Sequence, residues 1–375
     1  MNHPQGERDL GEVSQARITG VDIRMINVPL GQPLETAAGV FPALPMVLVD
    51  LETDAGVTGC AYFSACFLPM MLKPIALLID GLSEMIIGDR LAPAEIDQKL
   101  RRNMRLVGAK GPVASAMAVI EIATWDALAK HRQLPLCELL GGARQKTPIY
   151  QTIVSMDPQT AAEKAIESIE VGYGGVKCKL GQADPQADIA LLTAVRAACG
   201  DGYPIMGDFN QALSVDEAEQ RMESLDELNL TWVEEPTLAD DFEGHARITE
   251  AARTPVSIGE NWQGIADAQR SLSISASDLV MPDVIRMGGI TAWLEAAHLA
   301  DEAGVGVSSH GYSEICVHLL AVAARSQWLE HVDVLDEIFL DPIKPTNGVA
   351  LPSPKPGVGI SWNEDAIRRF LVKWR

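Results

Sequence analysis

Apolar residues recur along this chain in two textures. From residue 16 to about 63 they follow a strand-like pattern, which predicts strands over 18–29, 46–51 and 57–62. The turn triplet Asp54-Ala55-Gly56 separates the last two and points to a meander. Helical spacing follows over 70–85 and 93–104, then along an alanine-rich stretch at 112–131. This α+β unit ends at the Gly141-Gly142 break.

Beyond that break, short apolar runs alternate with helical stretches at 159–170, 186–198, 215–228, 241–252 and 291–303. The runs lie at 149–152, 176–179, 205–208, 232–235, 256–260, 279–283, 305–310 and 328–330. Strand–helix alternation of this kind makes parallel strands with crossover helices, and eight runs make a (β/α)8 barrel. The expected organisation is a polar tail at 1–14, an N-terminal α+β domain at 15–141, and a barrel at 142–350. A C-terminal segment at 351–375, with Pro352, Pro354 and Pro356 before a short basic helix, is expected to pack back on the first domain.

With 47% apolar and 22% charged residues, the 375-residue chain has the composition of an ordinary globular protein. No apolar run is read as long enough to cross a bilayer, and the polar start carries no hydrophobic signal region. Six scattered cysteines, none in a CxxC pair, argue against a zinc ribbon or a disulfide framework and fit reduced thiols. The expectation is a cytoplasmic enzyme with no membrane partner. A formal charge of −21 repels phosphates and excludes a nucleic-acid partner from consideration.

The chemistry sits at the C-terminal ends of the apolar runs: Lys177 and Lys179, Asp208, Glu234, Glu260, Asp283, His310 and Glu330. Steps of 26, 26, 23 and 27 residues separate Asp208, Glu234, Glu260, Asp283 and His310. One βα unit is about that long, so these groups land on successive strand ends around one mouth, where barrel active sites form. A lone charge at a strand end is usually a solvated or capping residue; the joint period is the signal. Three carboxylates on adjacent strands repel one another unless a cation lies between them. Oxygen-only ligands specify Mg²⁺, or Mn²⁺, rather than zinc. A glycosidase pair leaves the third acid and both lysines unused, and a Schiff-base aldolase explains neither the second lysine nor the acids.

Lys177 and Lys179 alternate with Cys178, so both lysines share one strand face. Two close ammonium groups are expected to depress each other's proton affinity and leave one neutral base. Asp283, one unit before His310, is expected to fix the histidine's tautomer and raise its basicity. Lys179 and His310 then stand on opposite sides of the mouth, as a racemase requires. Thr152, at the end of the first run, either bonds a substrate hydroxyl or caps its strand.

These residues resemble the enolase superfamily, and within it the mandelate racemase subgroup, over nearly the whole chain from Ala16. The motifs are Val176-Lys177-Cys178-Lys179, Gly207-Asp208-Phe209-Asn210-Gln211 and Trp232-Val233-Glu234-Glu235-Pro236-Thr237. Further on come Gly259-Glu260-Asn261-Trp262, Met281-Pro282-Asp283, Ser308-Ser309-His310 and Trp328-Leu329-Glu330. The resemblance implies an enolase-like modified TIM barrel with an α+β capping domain, Mg²⁺ on Asp208, Glu234 and Glu260, and a homo-oligomer. It implies Lys179 and His310 as opposed bases with Asp283 behind His310. Lys177 and Glu330 would contact the carboxylate of a small-molecule substrate, Glu330 protonated or as a strong hydrogen-bond partner, with Asn210 in support. Asp283 stands where the muconate-lactonising branch carries a second lysine, which disfavours that branch.

The reaction so implied is α-proton abstraction through an enediolate, stabilised by metal and preorganised donors. Racemisation of a 2-hydroxy acid comes first, dehydration of an acid sugar second, and a non-catalytic carboxylate-binding barrel last. Specificity is expected in cap loops at 30–43 and 62–67. Glu35 lies in the first, and Ser64 and Cys66 in the second stand where aromatic groups are expected to hold the phenyl ring of mandelate.

Overall fold

The computed structural model describes residues 14–37, 39–64 and 68–373. Alternating patterning in the first part forms three antiparallel strands, β1 (Ile18–Thr36), β2 (Gly39–Thr53) and β3 (Thr58–Ser64). The expected loop at 30–43 is instead the far end of the β1–β2 hairpin. Pairing slips between Pro29 and Leu34, then resumes at Leu34–Phe41 and runs to Thr36–Gly39. Prolines and glycines masked the alternation there, but a bulge lets the ladder continue past them.

Three helices cover this sheet: α1 (Leu72–Ser83), α2 (Pro93–Met104) and α3 (Pro112–His131). Proline within the first turn starts α2 and α3, where its missing N–H costs nothing. Contrary to the sequence expectation, α3 is long and apolar enough by length and composition to span a bilayer. Here it is a core helix, buried along sixteen of its twenty residues. It lies so close to β3 that a Cβ at Gly59 would meet the Ala123 carbonyl oxygen at 1.9 Å.

After the short α4 (Leu136–Leu139), strands and helices alternate: β4 (Thr147–Ile153), α5 (Pro158–Val171), β5 (Gly175–Lys179), α6 (Pro185–Cys199) and β6 (Ile205–Asp208). Then come α7 (Val215–Leu225), β7 (Val233–Glu234), α8 (Phe242–Ala251), β8 (Val256–Ile258), α9 (Ile265–Ser273), β9 (Leu279–Val280) and α10 (Ile290–Glu302). The series ends with β10 (Gly306–Val307), α11 (Ser313–Leu320) and β11 (Leu329–His331). Side-chain caps from Asp157, Asp184, Ser214 and Asp241 begin α5 to α8.

Strands β4 to β10 pair in order, all parallel, and β11 returns to β4. Backbone bonds from Gln327 N–H to Val307 O (2.8 Å) and Ser309 N–H to Trp328 O (3.0 Å) link β10 to the approach of β11. The eight strands therefore close on themselves. Beyond them, β12 (Val349–Ala350) joins β4, α12 (Glu364–Phe370) follows, and β13 (Leu371–Val372) pairs antiparallel with β1 at the N-terminal sheet. The expected polar tail lies outside the described residues apart from Ser14.

Candidate active site

Parallel pairing places the polar strand ends side by side. In register, Lys179 lies opposite Asp208 and Asp208 opposite Glu234, so one layer of the barrel mouth carries all three. Glu260 follows two residues beyond β8, after Gly259, whose φ of 122° suits only glycine. Asn210, Gln211 and Glu235 also adopt left-handed backbone, with φ of 46°, 66° and 35°, just past the ends of β6 and β7.

The three acids converge. One carboxylate oxygen from each of Asp208, Glu234 and Glu260 falls within 4.8 Å of the others, and all three residues are buried. Glu234 Oε1 is buried without a hydrogen-bond partner. Burial, then the neighbouring charge of Asp208, pushes the Glu234 carboxyl well above the usual range. An orphaned buried oxygen amid mutually repelling hard donors is what a small divalent cation satisfies, and the set fits Mg²⁺.

Lysines interleave with the acids. Lys177 Nζ lies 2.7 Å from Glu234 Oε2 and 2.8 Å from Glu330 Oε1. Lys179 Nζ donates to Asp208 Oδ2 at 2.5 Å. Lys177 does depress Lys179 as expected, but neighbouring acids outweigh it. Burial lowers both, but carboxylates raise them more, chiefly Glu234 for Lys177 and Asp208 for Lys179. Spacing along one strand revealed the pair but not the acids arriving from the next strands.

His310 faces two acids. Its Nδ1 donates to Asp283 Oδ2 at 2.8 Å, and its Nε2 lies 3.2 Å from Glu260 Oε2. Burial lowers its basicity, but Glu260 and the Asp283 bond outweigh that and raise it. Asp283 is itself oriented by the N–H groups of Ile285 and Arg286, both 2.8 Å from Oδ1.

Glu330 accepts from Thr152 Oγ1 at 2.7 Å and from Gly311 N–H at 2.8 Å. Burial would raise its pKa, but Lys177 and then His310 hold it down at about 2, which favours the strong hydrogen-bond partner of the two roles the resemblance allows. Thr152 thus serves Glu330. Asn210 donates its backbone N–H and Nδ2 to Asp208, at 2.8 and 3.2 Å, and its buried Oδ1 has no partner.

A cavity of about 320 Å³ joins these groups, lined by Lys179, Asn210, Glu260, Asp283, His310 and Glu330. Its outer wall is mostly apolar: Leu30, Leu34, Phe41 and Leu44 from the β1–β2 hairpin, with Val154, Val332, Val334 and Leu335 from the segments after β4 and β11, and Thr36 and Ser64 as polar members. Of the cap residues noted in the sequence, Ser64 lines this cavity and Glu35 does not. Glu35 accepts the Met156 N–H at 3.1 Å, tying the hairpin to the loop after β4, and Ser64 N–H donates to Tyr312 at 3.1 Å. Cys66 lies outside the described residues.

The sequence reading missed Asn261 and Arg286 as site residues. Arg286 lines the cavity, and Asn261 bridges Glu235 and Glu260 at 2.6 and 2.9 Å. Their signal was position alone: one residue after a strand-end acid, and one helical turn after Asp283.

Known proteins carry the same architecture. The family model described as mandelate racemase / muconate lactonizing enzyme, N-terminal domain, matches residues 18–141, and the enolase C-terminal domain-like model matches 160–366. The chain is 36% identical over 265 residues to L-talarate/galactarate dehydratase of Salmonella typhimurium, covering 70% of this chain and 67% of the relative. That enzyme's structure with Mg and L-lyxarohydroxamate superposes with a TM-score of 0.90 at 30% identity, over 96% of this chain and 93% of the other. An enolase from Bradyrhizobium complexed with magnesium and mandelic acid matches at TM-score 0.90 and 34% identity, over 96% and 99% of the two chains.

Proposed function

Because the chain belongs to the mandelate racemase / muconate lactonizing enzyme family of the enolase superfamily, we propose that it takes and returns the α-proton of a 2-hydroxy carboxylate, interconverting its enantiomers. Enzymes of this family are Mg²⁺-dependent, and Asp208, Glu234 and Glu260 are the residues that would hold the ion here. One observation carries the reading. Lys179 is bonded to Asp208 and His310 contacts Glu260, so the two bases engage different members of one carboxylate cluster and border one cavity.

When bound, Mg²⁺ acts as a Lewis acid that offsets the charge developing on the substrate carboxylate. The chain's own groups do the rest. Lys177 directs an ammonium toward the substrate carboxylate, with Glu330 fixing its position. Lys179 removes the α-proton from one face, and His310 delivers one to the other, or the reverse for the opposite enantiomer. Asp283 accepts from Nδ1 and so keeps the Nε2 side of His310 for this transfer. The apolar outer wall excludes water and receives a hydrocarbon substituent rather than a chain of hydroxyls.

The second reading is dehydration of an acid sugar, favoured by the talarate/galactarate dehydratase similarity. There one base takes the α-proton and His310, as an acid, releases the β-hydroxyl. Incubation of the Mg²⁺-loaded enzyme in D₂O with mandelate, other 2-hydroxy acids, and aldonic and aldaric acids separates the two. Racemisation predicts deuterium at Cα with both enantiomers appearing, and no exchange after chelation. A 2-keto-3-deoxy product establishes dehydration instead. Retention of every α-hydrogen across the panel overturns both.

A further inference from the structure

We propose that Arg286 is a positioning residue for the metal site, acting by fixing the carboxylate of Glu260; this rests on reading Asp208, Glu234 and Glu260 as the Mg²⁺ ligands. The three acids are not held alike. Asp208 and Glu234 are strand residues, locked by the parallel ladder on either side. Glu260 lies past the end of β8, on the far side of a left-handed glycine, so no ladder fixes its orientation.

Side chains fix it instead. Arg286 Nη1 donates to the Glu260 backbone oxygen at 3.0 Å and to Asn261 Oδ1 at 2.5 Å, and it lies 3.4 Å from Glu260 Oε1. With Oδ1 engaged by the guanidinium, the Asn261 amide has only one sense. Its Nδ2 must face Glu260 Oε1 and Glu235 Oε2. The other carboxylate oxygen, Oε2, is left to the side of His310.

Arg286 belongs to the turn that carries Asp283, whose Oδ1 accepts the Arg286 N–H and whose Oδ2 holds His310. One short segment thus sets the histidine with its carboxylate and the metal ligand with its guanidinium. A planar, permanently charged group suits this task better than an ammonium, which would reach the same acceptors as a point charge.

Outer contacts of this kind are worth about 10- to 100-fold in metal affinity. Calorimetric titration of the metal-free full chain with MgCl₂, backed by Mn²⁺ binding read by electron paramagnetic resonance, tests this without substrate. Arg286→Met is expected to weaken Mg²⁺ binding by about tenfold or more, with Arg286→Lys intermediate. Unchanged circular dichroism in chelator is expected for both. At saturating Mg²⁺, kcat should recover further than the metal affinity does. Should Arg286→Met fail to fold, Asn261→Ala cuts the same link and is expected to lose affinity likewise. Parental Mg²⁺ affinity in a folded Arg286→Met or Asn261→Ala variant overturns the proposal. A parent chain that takes up no Mg²⁺ overturns the metal-site reading itself, which is a different result.

Discussion

Lys177 and Lys179 leave the same strand on the same face and differ only in what surrounds them. Lys177 is 1% exposed and clamped between Glu234 and Glu330, so its proton is held on both sides. Lys179 borders the cavity and bonds one carboxylate, Asp208, which the proposed cation would share. On the proposed mechanism, that difference suits Lys179 to act as the base and Lys177 as the fixed charge. Lys179→Ala and His310→Asn are each expected to fold and to lose α-proton exchange with only one enantiomer, by 10³-fold or more. Proton NMR of each enantiomer in D₂O checks this, and loss of both exchanges in either variant would sink the two-base scheme. Lys177→Met should instead cost about 3 kcal/mol or more of folding stability, because it strands two buried carboxylates. The identity of these residues was legible in sequence, since a polar group after each apolar run recurs once per βα unit. Their protonation was not: it depends on acids a few ångströms away on neighbouring strands, a relation that spacing along one strand does not carry.

At the scale of elements, the N-terminal sheet and the barrel meet through a carboxylate buried in an apolar helix. Glu121, midway along α3, accepts the N–H groups of Ile290 (2.8 Å) and Thr291 (3.0 Å) at the start of α10. Its Oε1 also takes the Thr291 hydroxyl at 2.6 Å and Trp125 Nε1 at 2.8 Å. Helix α10 begins at Gly289 with no cap of its own, so Glu121 caps it from another part of the fold. Gly289 is required there, since its φ is 117° and a Cβ would sit 2.4 Å from Glu121 Oε2. Glu121→Ala should therefore lower unfolding free energy by about 3 kcal/mol, with Glu121→Gln losing roughly half as much. Urea midpoints measure both, and an alanine variant within 0.5 kcal/mol of the parent would rule this capping out. Such a contact cannot be read from α3, whose helical spacing shows only that it is a helix. Besides the one-turn α4, two helices escaped detection for opposite reasons. Helix α11 is buried on every side and so lacks a polar face, while α9 starts at Gly264 without a side-chain cap and buries only Ala268 and Ser271. The eight barrel strands were legible despite lengths down to two residues, because each is a short apolar run ending near a polar group at the βα period, even where α9 and α11 between them were not seen.

For the whole molecule, a net charge of −21 means that lowering the pH relieves repulsion, which alone would favour the folded state. Two buried histidines work against it. His318 on α11 accepts the Cys137 N–H of α4 through Nδ1 at 3.2 Å, a bond that only the neutral ring can make. Burial, with Arg144 adding to it, pushes His318 down to about 4, and burial pushes His245 on α8 down to about 4 as well. Between pH 6.5 and 4 the unfolded chain therefore binds protons that the native state refuses. Stability from these groups is complete above pH 6.5 and drains as pH falls through that window, by about 2.5 kcal/mol for each by pH 4.5. Glu235 acts in the opposite sense, since burial, reinforced by Glu260, raises its carboxyl to about 8 and the native state gains a proton first. The parent's raw pH profile mixes these effects, and a difference between variants isolates one. His318→Asn keeps an acceptor for Cys137 and removes the titration. Measured by urea unfolding at pH 7 and 4.5, its stability should fall less than the parent's by about 2.5 kcal/mol. Parallel losses in the two proteins would mean that His318 titrates in the native state as it does in the unfolded chain, and that the α4–α11 contact does not depend on a neutral ring.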